Sequence, residues 1–451
     1  SQKNSTIINM IKIKINNIHF IEKKYILGVI FSDILGIKVS YEICDIDSYE
    51  IILPNNKKII ISDTFLLSQK HQKDWGEYEY PKLSFNTNIR IKNNHKLFGM
   101  YGNKDFNITK ESISINNDII GNAFIFLSRI EELNSNHDKL NRYQYKNSLA
   151  DRFDIITRPI VNEYIEFFKD AISFLDSSLI FQKYSFDVML THDIDLIKRW
   201  TIKHLLKHSI VNIGKKNYLN GFKEFIASRR NNKKDPYYNF NQIIELSNSY
   251  NISSLFLFMC LEKDEFEFLY SLNEVEEPIN SILKSKNHKI GIHPSKTTYN
   301  NYENSKREIK RLSKQIKRKI EYSRQHYLMF DVRKTWNILN ANEIKYDLTL
   351  GYPEMIGFRC GICYPFKVFD IKTKSKLDLV EIPLIMMDVT LTNYMKINET
   401  KELNEIIVRV INQVKKHNGI LNLIWHNNSY YDYLGSSNED LLKKIMQKIF
   451  D

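Results

Sequence analysis

The sequence predicts an α/β protein in two parts: a parallel (β/α) barrel over residues 176–451, preceded by a smaller α/β domain over residues 1–175. Three observations carry this expectation. Apolar strand-like runs alternate with helical stretches through the carboxy-terminal part, the order that builds parallel sheets. Several of those runs end in a chemically useful polar tip, and ligands bind at the carboxyl ends of strands in such sheets. The chain has 451 residues, too long for an ordinary single domain and enough for two with sizeable cores.

The amino-terminal part holds short Ile-rich strands at Lys58–Ser62 and 113–115. A helix follows over 119–132, and a second runs from Pro159 to about Leu175 into the next domain. No cluster of acids, His or Cys stands out among these residues. The expected role is packing against or covering the rim of an active site that lies elsewhere.

The most informative stretch follows. Residues 184–190 alternate and read as a buried strand, then come Thr191-His192-Asp193-Ile194-Asp195. Alternate side chains of an extended chain share a face, so Asp193 and Asp195 point one way and His192 the other. One carboxylate can hold a hard or borderline metal while the other stays free as a base. The structural alternative is a loop start, where Asp is common. Residues 199–228 are rich in Lys, Leu and Ile and read as helical. Asp235-Pro236-Tyr237-Tyr238 marks a loop, 240–250 a helix and 253–260 the next strand.

Three further strand ends carry useful groups. Ile290-Gly291-Ile292-His293-Pro294-Ser295 ends in a His. Ser323-Arg324-Gln325-His326-Tyr327-Leu328 offers an Arg and a His on one face. Leu421-Asn422-Leu423-Ile424-Trp425-His426-Asn427 ends in another His. Glu381-Ile382-Pro383-Leu384-Ile385-Met386-Met387-Asp388 adds a strand with an acidic end.

The order of these stretches, over 184–430, resembles the polysaccharide deacetylase family (NodB homology, carbohydrate esterase 4-like). The resemblance implies a distorted seven-strand (β/α) barrel and a metal-dependent carbohydrate deacetylase. It implies Asp193 as catalytic base, Asp195 and His293 as metal ligands, and Arg324 as the group that orients the base. It implies a Tyr327 backbone N–H on the oxyanion and His426 as general acid. The family's second motif has a second His four residues after the first, where this chain has Thr297. His326 is the expected replacement ligand; His192, Thr297 or water are alternatives. Asp388 is expected to orient a catalytic His or to contact substrate. Trp425 and Leu328 are expected either to form a sugar-stacking wall or to pack as core.

Two more stretches, 344–352 and Gly357-Phe358-Arg359-Cys360-Gly361, look like signatures of deacetylase-like proteins found with bacterial surface-polysaccharide genes. Arg359 is expected to bind an anionic sugar group, because a guanidinium offers a rigid fork of donors; a loop salt bridge is the alternative. The 119–132 stretch, with Arg142, Ser148 and Arg158-Pro159, resembles the small domain that precedes this lineage.

Composition narrows the setting. The net charge is +12, with Lys spread along the chain rather than gathered into a nucleic-acid module, so no nucleic-acid partner is expected. No apolar run approaches the roughly 18 residues of a transmembrane helix. Residues 1–5 do not open an apolar signal core. The four Cys include a lone Cys360-x-x-Cys363 pair, which argues against structural zinc and for a reducing cytoplasm. The expected cofactor is a divalent metal, foremost Zn²⁺, and the expected partner an N-acetylated sugar or glycan. A non-catalytic glycan-binding protein on a degenerate deacetylase fold is the second reading. A third keeps the metal chemistry but cleaves another amide or an O-acetyl ester. Sugar, carrier and oligomeric state stay open.

Overall fold

The computed structural model describes residues 9–69, 75, 80–134, 137–200, 218–285, 287–395, 400–431 and 438–451. The chain divides into two compact units: Ser1–Phe186 with Phe358–Pro383 and Gln413–Gly419, and Asp187–Gly357 with Leu384–Asn412 and Ile420–Asp451. The helix Ile160–Leu175 lies in the first unit, and the strand Asp187–Ile194 opens the second. In addition, the chain returns twice from the second unit to the first.

The first unit is built on a six-stranded mixed sheet, in the order Lys38–Ile43, Met10–Ile15, Ser48–Ile52, Lys58–Ser62, Ser112–Asn117, Gly102–Ile108. Its period-2 pattern decides which face is core: Ile11, Ile13 and Ile15 are buried, as are Ile59, Ile61, Ile113 and Ile115. The helix Ile119–Ser128 is buried throughout, as an apolar run without a polar stripe must be. Asp118 caps it, accepting from the Gly121 N–H at 2.7 Å and from the Phe65 N–H at 2.7 Å. The expected helix over 119–132 breaks at Arg129, whose φ is 57°. The returning hairpin Phe366–Asp370 with Ser375–Glu381 joins this core through Phe369, whose ring lies 4.8 Å from Tyr25 and 5.6 Å from Phe124.

Among the described residues the second unit has seven strands, numbered in chain order. They are β1 (Asp187–Ile194), β2 (Ser254–Phe258), β3 (Lys289–Ile292), β4 (Tyr322–Ser323), β5 (Tyr346–Asp347), β6 (Leu384–Met387) and β7 (Ile420–Ile424). All pair in parallel, in the order β5-β4-β3-β2-β1-β7-β6. Helices Phe240–Ser249, Glu276–Lys284, Tyr302–Ile316 and Thr335–Ala341 precede β2, β3, β4 and β5, as parallel crossovers require. β5 and β6, the ends of this parallel run, approach each other. The Leu384 N–H of β6 donates to the Leu350 carbonyl, just past β5, at 3.0 Å, and the Gly357 N–H donates to Ile385 at 2.9 Å. The sheet is therefore curled. The helical stretch expected over 199–228 falls partly on 201–217, outside the described residues; its end lies in the helix Tyr218–Arg230.

One expected strand is much shorter than the sequence indicates. Pairing stops at Ser323, and Tyr327 and Leu328 take φ of 59° and 56°. Two left-handed residues in succession cannot continue a strand. Leu328 is drawn down into an apolar cluster with Leu384, Met387 and Ile424, and the chain turns to let it.

Candidate active site

The polar groups converge at the carboxyl ends of β1, β3, β4 and β7. Asp193 lies near the end of β1 and is 2% exposed. Its Oδ1 accepts from Arg324 Nη1 at 2.7 Å. The same guanidinium, wholly buried, donates to Thr191 Oγ1 at 2.8 Å, the Leu348 carbonyl at 3.0 Å and Asn422 Oδ1 at 3.2 Å. All three nitrogens of the guanidinium are engaged, which fixes Arg324 and through it one oxygen of Asp193. The other oxygen, Oδ2, is left toward the site, 3.8 Å from His293 Nδ1 and 3.9 Å from His426 Nε2. Burial pushes the Asp193 carboxyl up, but Arg324, His293 and His426 more than reverse this and hold it below the usual range.

Asp195 follows β1 on the same face, as the period-2 argument requires. The Tyr270 hydroxyl steadies the backbone before it, donating to the Ile194 carbonyl at 2.8 Å. Asp195 Oδ1 is buried without a hydrogen bond among the described residues, 3.3 Å from His293 Nε2 and 3.9 Å from His326 Nε2. The three ligand atoms of Asp195, His293 and His326 lie within 4.8 Å of one another. Zinc bonds of ~2.0–2.2 Å set tetrahedral ligand atoms roughly 3.3–3.6 Å apart, so one edge matches and another is slightly long. His293 Nδ1 donates to the Arg324 carbonyl at 2.7 Å, which turns the Nε2 lone pair toward Asp195. A lone pair facing a carboxylate calls for a proton or a cation between them. The raised basicity of His293, achieved against its burial by Asp193 and Asp195, is the proton's form of that demand. The residues therefore fit a divalent ion.

His326 reaches this trio from the turn after β4, not from a strand face as expected. Its ring stacks on Tyr327 at 3.8 Å, and its Nδ1 is 3.7 Å from Glu267 Oε1. Burial, ahead of all other influences, holds its basicity down to about 4, so it presents a neutral imidazole, the form that ligates metals. Thr297 turns away to bond Ser295 Oγ at 2.9 Å. His192 points to the opposite face, with Nδ1 donating to the Trp425 carbonyl at 2.7 Å.

His426 stands across from Asp193. Buried Asp388 accepts from its Nδ1 at 2.8 Å and from its backbone N–H at 2.6 Å. This leaves Nε2 aimed at the site, 3.8 Å from Asp195 Oδ2. Burial would lower the basicity of His426, but Asp388, with Asp195 and Asp193, lifts it to about 10. Asp388 thus holds the His426 ring and backbone by hydrogen bonds and is itself fully buried.

Two expected substrate contacts are corrected. Trp425 is wholly buried, so it offers no stacking wall and serves as core, as does Leu328. Arg359 lies in the first unit at 2% exposure, where Nε and Nη2 donate to Glu132 at 3.0 and 2.7 Å. Its fork is closed on a carboxylate of its own unit, the salt-bridge alternative. The aromatic edges exposed near His326 are instead Tyr327, 43% exposed, and Phe266, 70% exposed with the Lys296 ammonium 4.2 Å above its ring. Sequence reasoning also missed Glu267, which lies in no regular element and reaches His326 only through the fold. Asn422 was within reach: a polar residue between two Leu in a buried strand needs a partner, here Arg324.

Residues 11–177 match the Family of unknown function (DUF7033). No curated protein matches the chain. Among solved structures, the chain is similar to a protein from Mycobacterium smegmatis assigned to the polysaccharide deacetylases, at 13% identity and a TM-score of 0.38 over 59% of this chain and 85% of that one. It is similar to a carbohydrate esterase family 4 pseudoenzyme from Bacillus anthracis, at 10% identity and a TM-score of 0.29 over 59% and 61%. It is also similar to the polysaccharide deacetylase Bc1974 from Bacillus cereus, at 10% identity and a TM-score of 0.27 over 59% and 88%.

Proposed function

We propose that this protein is a metal-dependent hydrolase that removes an acetyl group from an N-acetylated sugar or glycan intermediate. The observation that carries this is one cleft end holding three differently tuned groups. These are an ionised carboxylate fixed by Arg324, a ligand trio of Asp195, His293 and His326, and an imidazolium held by Asp388. Pairs of titratable groups pushed in opposite directions mark an acid and a base.

A divalent ion, foremost Zn²⁺, held by Asp195, His293 and His326, supplies Lewis acidity and makes water more acidic. The rest of the chemistry belongs to the chain. Asp193 Oδ2 takes a proton from the attacking water while Oδ1 stays bound to Arg324. The Tyr327 backbone N–H supports the oxyanion that develops on the carbonyl. His426 Nε2 gives its proton to the departing amine, the step that makes amide cleavage productive, and Asp388 stabilises the charge on the ring before transfer.

The test is metal content together with acetate release from N-acetylated mono- and oligosaccharides. A metal-loaded protein that releases no acetate from any amide or ester, yet binds glycans, replaces this reading with that of a binding protein. Release from O-acetyl esters alone moves the activity to the ester.

A further inference from the structure

The first unit contains a cavity of its own. The strand Asn94–Gly99, the helix Ile160–Leu175 and the 413–419 segment line a partly open pocket of ≈ 540 Å³, within the ~300–1,000 Å³ range of small-molecule sites. His417 lines it. The residue is 2% exposed, and among the described residues neither ring nitrogen has a hydrogen-bond partner. Two unpaired nitrogens on one buried ring are costly, and a bound partner removes that cost.

The charges around the cavity tell what that partner carries. Each carboxylate on the lining is already engaged. Glu163 takes the Arg158 fork at 3.0 and 2.6 Å. Glu166 takes Lys169 at 2.9 Å, and Asp170 takes His95 at 2.9 Å and Asn93 at 2.8 Å. Lys96 and Lys416 are exposed on the lining, and neither ammonium has an ion-pair partner among the described residues. The uncommitted groups are therefore two ammonium ions and an imidazole. Burial first, then the charges of Lys416 and Lys169, hold His417 down to about 4. The neutral ring has one N–H to give and one lone pair to fill.

We infer that this cavity binds a sugar bearing one anionic group, a carboxylate or a phosphate. The anion answers Lys96, Lys416 and the His417 N–H. Sugar hydroxyls answer the acceptor nitrogen of His417 and the remaining lone pairs of Glu163, Glu166 and Asp170. The cavity belongs wholly to the first unit, and the inference does not depend on the activity proposed for the second.

Calorimetric titration of the full chain with glucuronate, glucose 6-phosphate, inorganic phosphate and glucose tests it. The expected result is saturable binding of glucuronate or glucose 6-phosphate, stronger than that of glucose or phosphate. Binding should survive in His293→Ala, which separates this cavity from anion capture at the candidate metal centre. Lys416→Met and His417→Gln should each weaken it roughly tenfold or more, the cost of a lost charged hydrogen bond. Lys416 is on the surface, so its variant reports even where His417→Gln fails to fold. The inference is overturned by the absence of saturable binding, by loss of binding in His293→Ala, or by unchanged affinity in Lys416→Met. Inorganic phosphate binding as tightly as glucose 6-phosphate overturns the sugar assignment.

Discussion

Asp193 and Asp195 are the same residue type two positions apart, and their neighbours give them different work. Arg324 holds one oxygen of Asp193 at 2.7 Å, which commits that carboxylate to a fixed, ionised state. Among the described residues no guanidinium holds Asp195 in that way, and it keeps a buried oxygen without a hydrogen bond facing two imidazoles. The assignment of base and ligand has a direct consequence. Asp193→Asn should retain bound metal and lose most turnover, because it removes a base and leaves the ligand trio intact. His426→Ala should do the same, with a loss of ~10²–10⁴-fold for a missing general acid. Parallel metal analysis and acetate-release assays measure both. A metal-free Asp193→Asn protein would exchange the roles of the two aspartates. At this scale alternation was a good guide to one stretch: Asp195 turns toward His293 and His326, while His192 turns to the opposite face.

Short elements, rather than long ones, place His326 beside Asp195 and His293. β4 is two residues long, and the turn after it passes through two left-handed residues before Leu328 anchors in the core. That turn delivers His326 to the trio and stacks Tyr327 against it. His326→Ala should weaken metal binding by more than the ~10–100-fold that loss of an outer-shell partner costs. Competition with a chelator of known affinity reads this directly, and an unchanged affinity would remove His326 from the shell. Strong period-2 and helical segments were legible: Lys58–Ser62 and Ile160–Leu175 lie where the apolar pattern places them. The strand expected at 323–328 was not, because burying Leu328 outweighs the local preference for extended chain.

Across the whole molecule, buried imidazoles link stability to pH. His192 and His417 are both held down to about 4 by burial. Unfolding returns each to the ordinary value near 6.5, so the unfolded chain binds more protons between those two values. Their contribution is complete above about pH 6.5 and is lost as pH falls toward 4, on the order of a few kcal/mol together. Denaturant melts between pH 7.5 and 4.5 should show this slope, and replacing His192 by Gln should flatten it. The returns of the chain matter as well. Residues 366–370 put Phe366, Val368 and Phe369 into the core of the first unit. Deleting residues 1–175 should therefore strip cover from that hairpin and yield an aggregating protein, which size-exclusion chromatography detects. A monodisperse truncated chain that still binds metal would show that the second unit stands without it.

The sequence by itself determined the α/β class and the shared face of Asp193 and Asp195, opposite His192. These follow from periodicity and from polar residues at strand ends, which are local properties. It could not determine that Arg359 closes on Glu132, that Trp425 is sealed in the core, or that Glu267 stands beside His326. A guanidinium, an indole and a carboxylate each have surface and buried uses with the same local sequence. Which use prevails depends on the groups that distant segments bring within a few ångströms, and only the tertiary structure sets those distances.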